Sequence, residues 1–242
     1  MLKLTQTSLL ASLCLLGSLG GQSALAQETE DALSTEIELG AIFTSGNTKD
    51  ENIKFKSNMV YLRESWEYGF SIDGFRSSKD DELAAQRIYT VGSATYNLDA
   101  DSFILSRIAH EDDRFSGYDS QSDASVSYGH NLLRERENID WNYTIGAGMR
   151  YSREPGDTTS EAILRLGSEL RWNVSENALF VQTLSVESGS KSTISRSESS
   201  IQSDIMDNLS MKFAIKVKHQ SEVPIGREKT DSEASVTLLL RL

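Results

Sequence analysis

From Thr35 to Leu242 the chain alternates apolar and polar residues with a period of two. The alternation is clearest in Ile139-Trp141-Tyr143-Ile145-Ala147-Met149-Tyr151, where Asp140, Asn142, Thr144, Gly146, Gly148 and Arg150 fall in between. It recurs in Leu209-Met211-Phe213-Ile215-Val217, interleaved with Ser210, Lys212, Ala214 and Lys216. A third instance is Ala162-Leu164-Leu166-Ser168-Leu170-Trp172, whose intervening positions include Arg165, Gly167, Glu169 and Arg171. Successive side chains of a strand point to opposite faces, so each segment carries one greasy and one polar face. Wound into a helix, the same residues would bury lysine and arginine.

The pattern predicts about twelve strands, over 35–45, 52–63, 66–78, 84–98, 101–115, 119–132, 138–153, 160–174, 177–189, 193–206, 209–222 and 229–242. Several exceed ten residues, whereas strands of soluble proteins average about five or six. A tilted strand needs roughly nine to eleven residues to cross a bilayer. An even number of long strands predicts an all-β fold, a closed antiparallel up-and-down transmembrane β-barrel. The ninth and tenth segments are the poorest, because Thr193 to Ser203 is mostly serine and charge.

The connections sort by length. Glu64-Ser65, Asp99-Ala100, Ser175-Glu176 and Asp207-Asn208 are tight polar turns, with Leu133 to Glu137 a longer turn on the same side. Between them lie the links Ser45 to Glu51, Lys79 to Leu83, Pro155 to Thr159 and Val223 to Glu228, expected as long outer loops. Outer-membrane barrels keep short turns in the periplasm and long loops outside. Both termini are therefore expected on the periplasmic side. Trp66, Trp141 and Trp172 all fall near tight-turn ends, which predicts an aromatic girdle at one membrane interface. Ala234, Val236, Leu238, Leu240 and Leu242 give the last strand an unbroken outward face, although its terminal residue is not the aromatic usual in this class. Outer-membrane lipid, lipopolysaccharide and the barrel-insertion machinery are the expected partners.

The first 26 residues change the picture at the N-terminus. Lys3, the apolar run Leu9 to Leu16 and the small-residue exit Ala24-Leu25-Ala26 form a secretory signal cleaved before Gln27. The run is shorter than the ~20 residues that a spanning helix needs. The only cysteine, Cys14, leaves with the signal, so the mature chain has no thiol chemistry. The expected organisation is 1–26 signal peptide, 27–34 short periplasmic segment and 35–242 barrel, with localisation in the outer membrane.

Across its 242 residues the chain has 24 Lys+Arg against 36 Asp+Glu, a formal net charge of -12. That balance argues against nucleic acid, whose phosphates need clustered bases. No protein partner is identifiable. The three histidines, His110, His130 and His219, lie on different strands without metal-ligand spacing. There is no Gly-x-Ser-x-Gly elbow and no nucleotide-binding glycine loop. No catalytic, cofactor-binding or metal-binding residue is expected. Lys79-Asp80-Asp81-Glu82 and Glu111-Asp112-Asp113 read as solvated acidic loops, with divalent-cation binding as the alternative.

With the apolar faces toward lipid, the polar faces line a lumen. Its expected lining is Lys54, Lys56, Glu67, Asp73, Arg165, Glu169, Arg171, Asp204, Lys212, Lys216, Lys218, Glu233 and Arg241. Folding the hairpins at their turns brings Lys56 near Asp73, Lys212 near Asp204 and Lys218 near Glu233. Such cross-strand pairs contribute roughly 0.2–1 kcal/mol each. The reading is a non-enzymatic barrel, either a narrow small-solute or ion channel or an envelope structural protein. A lipid-active barrel enzyme of the phospholipase type and a soluble periplasmic β-protein remain as alternatives.

Four segments carry a family resemblance: Thr44-Ser45-Gly46-Asn47-Thr48, Phe115-Ser116-Gly117-Tyr118, Leu164-Arg165-Leu166-Gly167 and Val223-Pro224-Ile225-Gly226-Arg227-Glu228-Lys229-Thr230-Asp231. With them the mature chain resembles the salt-induced outer-membrane proteins, a family whose domain has no assigned function. The resemblance implies an outer-membrane barrel and a link to osmotic or salt stress. It implies no substrate and no catalytic residue.

Overall fold

The computed structural model describes residues 31–45, 51–79, 82–113, 116–133, 136–154 and 156–242. The predicted leader lies outside the described residues, as do the link 46–50, Asp80-Asp81, Phe115 and Pro155. Twelve strands follow one another: β1 (Ala32–Ser45), β2 (Glu51–Arg63), β3 (Trp66–Lys79), β4 (Glu82–Asn97), β5 (Ser102–Asp113), β6 (Ser120–Asn131), β7 (Ile139–Glu154), β8 (Asp157–Ser175), β9 (Ala178–Gly189), β10 (Thr193–Met206), β11 (Leu209–Gln220) and β12 (Thr230–Arg241). Each pairs antiparallel with its neighbours in sequence, and β1 pairs with β12 to close the barrel. Closure leaves no unpaired strand edge, which is what a sheet needs to cross lipid.

The side chains are arranged inside out. Phe213, Ile215 and Leu238 face outward and are exposed, while Lys54, Arg150 and Glu187 are at most 2% exposed. A water-soluble barrel would reverse this distribution. Strand β1 begins at Ala32, three residues ahead of the expected start, and pairs there with Leu62.

The serine-rich segment forms β10, paired without interruption with β9 over Thr193 to Ser203 and with β11 from Ile194 to Asp204, where the β11 register shifts. Two of its outward serines bond the side-chain amide of Gln182 on β9. Gln182 donates from Nε2 to Ser197 Oγ at 3.1 Å, and Ser199 Oγ donates back to Gln182 Oε1. Pairing of this kind offsets the cost of turning polar groups outward.

The expected alternation of connection lengths holds only in part. On the side away from the termini, β3–β4 and β7–β8 are joined by two residues each and β9–β10 by three. Strand pairing runs on into the predicted loops, with Lys79 opposite Glu82 and Glu154 opposite Asp157. Only the links β5–β6 and β11–β12, together with 46–50, are longer on that side. Glu111-Asp112-Asp113 likewise corrects to strand, lying within β5 because Glu111 has partners inside the barrel.

At the terminal end, Trp66 stacks on Tyr68 with ring centroids 5.8 Å apart and meets Tyr96 at 4.9 Å. Trp66, Trp141 and Trp172 all project outward at this end, each 40–42% exposed.

Candidate functional site, the charged lumen

Alternation turns every second residue of each strand inward, so the polar face of the sequence becomes the lumen wall. A charge taken out of water is costly unless it is paired with good geometry. The lumen meets that demand with ion pairs, some between neighbouring strands, such as Arg150 with Glu161, and others reaching across the barrel, such as Lys218 with Glu111.

One group of ties links β1, β2, β3 and β4 with β10, β11 and β12. Lys212 Nζ donates to Glu38 at 3.0 Å and lies 3.2 Å from Glu198. Lys54 binds Glu233, which also accepts from Arg87 at 3.1 Å. Lys216 binds Asp73 and stands 3.6 Å from Glu198. A second group centres on Glu187, which is 1% exposed. It accepts from Arg165 and from Arg196, the latter at 3.1 Å, and Arg107 and Arg150 each stand 4.0 Å away. Arg107 in turn binds Asp123 and the Tyr89 hydroxyl. Arg150 donates to Glu161 from Nε at 3.1 Å and from Nη2 at 2.7 Å. Glu111 extends this second group to β5 and β11, accepting from Lys218 at 2.7 Å and from Arg196 at 3.3 Å.

The expected lining residues are placed as follows. Lys54, Asp73, Lys212 and Glu233 are buried inside the barrel, and Arg165, Lys216 and Lys218 are largely so. Lys56 faces the lumen half-buried. Glu169 and Arg171 pair with each other at 3.8 Å in a more open region, and Glu67 lines the lumen near them. Asp204 and Arg241 pair at 3.0 Å at the terminal rim.

Two of the three expected pairings are corrected. Lys56 stands opposite Asp73 in the ladder, as expected, although the Asp73 carboxylate is bound by Lys216. Lys212 stands opposite Gln202, not Asp204, and bonds to Glu38. Lys218 stands opposite Asp231 and reaches Glu111, leaving Glu233 to Lys54 and Arg87. The reason is reach: lysine and arginine stems span a narrow lumen, whereas the expectation considered only neighbouring strands.

Sequence reasoning missed Glu38, Arg87, Arg107, Glu111, Asp123, Glu161, Glu187, Arg196 and Glu198. Each shares the inward phase of its strand, so extending the alternation would have found them. The weak apolar face of β10 hid the phase that carries Arg196 and Glu198.

Two cavities occupy the lumen. The wider, about 500 Å3, runs from the end away from the termini to mid-barrel, and the narrower, about 350 Å3, continues to the terminal end. Lys56, Ser71, Val91, Glu169, Thr183 and Glu198 line both. Above the wider cavity two loops meet. Tyr118 of the β5–β6 loop donates from its hydroxyl to the Glu222 carbonyl at 3.5 Å. Gly117, at φ 89°, lies so close to Pro224 and Arg227 that a β-carbon there would stand 3.0–3.1 Å from them. Two of the segments that carried the family resemblance thus touch across the mouth.

The histidines face outward, away from this network. His110 Nδ1 is 2.8 Å from Ser122 Oγ, His130 Nδ1 is 3.2 Å from Ser102 Oγ, and His219 Nδ1 is 2.8 Å from Thr230 Oγ1. In each case the partner is the residue directly opposite in the ladder. Among the described residues no group of three or more His, Cys, Asp or Glu could hold a metal ion.

The fold is shared with solved outer-membrane barrels. The NanC porin superposes with a TM-score of 0.59 at 9% identity, over 85% of this chain and 100% of that one. The translocator domain of the autotransporter NalP from Neisseria meningitidis gives 0.52 at 9% identity, over 86% of this chain and 88% of that one. At such identity the likeness is one of architecture. No curated protein matches the sequence. The family described as protein of unknown function, DUF481, matches residues 37–241, and the chain belongs to it.

Proposed function

We propose that the protein is a non-enzymatic outer-membrane channel, narrow and selective for small solutes, with its termini in the periplasm. The observation that carries this reading is a cavity-bearing lumen, continuous in its lining residues, whose width is set by ion pairs between distant strands. A barrel serving only as a wall would be better filled by apolar side chains, because buried ion pairs add little net stability. The outward apolar belt and the tryptophans at one rim support the membrane placement. The role under salt or osmotic stress that the family resemblance implies is part of the same proposal.

Planar-bilayer recording of the pure protein tests it. Discrete conductance steps are expected. Their absence from protein that still shows the heat-dependent gel mobility of a folded barrel would replace the channel with a structural role in the envelope.

A further inference from the structure

Building on the channel reading, we infer that the wider cavity is a site for small, net-neutral, hydroxyl-rich solutes, sugars or polyols, which it accepts ahead of ions of the same size.

Charge balance is the first ground. Among the described residues the cavity is lined by equal numbers of acidic and basic side chains. A lumen walled by one sign concentrates the opposite ion. A balanced wall concentrates neither. An ion of either sign would instead meet a like charge and have to displace a carboxylate or guanidinium from its partner.

Hydrogen-bonding capacity is the second. Carboxylates only accept and guanidinium and ammonium groups only donate, whereas a hydroxyl does both. On the β3–β4 wall, Asp73 Oδ1 and Arg87 Nε have no hydrogen-bond partner, and both side chains line the cavity. Arg87 Nη2 stands 3.9 Å from Asp73 Oδ1, too far for a direct bond. Both atoms are shielded from bulk solvent. A solute hydroxyl that reached them would donate to Asp73 and accept from Arg87, as neither an anion nor a cation could.

The third ground is rigidity. The Arg87 guanidinium lies 4.8 Å from the Phe75 ring centroid, and that of Arg196 lies 5.5 Å from that of Tyr89. Ring contacts and ion pairs hold these donors in place before a solute arrives, which lowers the ordering cost of binding. A volume of about 500 Å3 falls within the range of small-molecule sites.

The test uses liposomes carrying the protein, swollen in arabinose or in charged five-carbon analogues of matched size, sodium arabinonate and xylosamine hydrochloride. Arabinose entry about fivefold or more faster than either charged probe is expected. Equal or faster entry of a charged probe overturns the inference while leaving the channel reading intact. No entry of any probe, with no bilayer conductance, overturns both. A second readout is the fall in open-channel current on adding arabinose. Asp73→Asn should weaken that block about tenfold. An unchanged block in a variant that keeps the gel mobility of the folded barrel would refute the assigned site.

Discussion

Lys218 on β11 and Glu111 on β5 are joined at 2.7 Å, although their strands lie six places apart around the barrel in either direction. The pair therefore ties opposite walls together. Arg196 extends it to β10. What limits the lumen at this level is a strap of three side chains, not the strand count.

Reversal of one partner should be rescued only by the residue that it touches. Lys218→Glu leaves Glu111 facing a like charge, and breaking a buried pair costs about 3–5 kcal/mol. Adding Glu111→Lys should restore part of the loss in urea unfolding from detergent micelles, the remainder staying lost because a lysine at 111 faces Arg196. Adding Glu233→Lys should not, because Glu233 is engaged by Lys54 and Arg87.

Removing the charge at the centre of the strap should widen the channel. Glu111→Gln weakens the hold on both Lys218 and Arg196, so single-channel conductance is expected to rise above wild type. Arg171→Gln, near the terminal mouth, leaves the strap intact and should change conductance less. Equal effects would place the constriction elsewhere.

Two glycines share a backbone conformation but differ in surroundings. Gly117 and Gly156 have φ of 89° and 88°. An alanine in the left-handed region costs roughly 1–2 kcal/mol at either site. At Gly156 nothing lies within 4 Å of the new methyl, whereas at Gly117 it would press on Pro224 and Arg227. Gly117→Ala should therefore speed proteolysis of the 221–229 loop on the folded barrel, and Gly156→Ala should leave that rate unchanged.

The turn before β5 should contribute a measurable acid sensitivity. Asp99 Oδ1 accepts from the backbone N–H groups of Asp101 and Ser102, both at 2.8 Å. These bonds favour the ionised carboxylate and hold its pKa below the ordinary value. Because the folded value lies below the unfolded one, the contribution is complete above the unfolded pKa and disappears as pH falls through the folded one. Asn at 99 can still accept from the N–H groups but does not titrate. Between about pH 5 and about pH 3, Asp99→Asn should lose less thermal stability than wild type.

Strand positions were legible in the sequence because alternation of greasy and polar residues is imposed directly by the sheet and the bilayer. Even β10, with little apolar face, was found, since its neighbours leave room for nothing else. The pairing inside the lumen was not legible. Which carboxylate Lys216 reaches depends on barrel diameter and strand stagger, and neither is written in any one hairpin. Loop lengths were misjudged where polar residues such as Glu82 and Asp157 read as loop but continue a ladder. The touching of Gly117 and Pro224 joins segments about half the barrel apart, which no local pattern encodes.

The placement of Trp66, Trp141 and Trp172 at one rim has an optical consequence. All three indoles of the chain report from the same depth. Fluorescence from the unmodified protein should thus be quenched almost uniformly by lipids brominated near the headgroups, and barely by lipids brominated at the acyl-chain ends. Added first to the side facing the termini, a membrane-impermeant quencher would reveal which way the barrel has inserted.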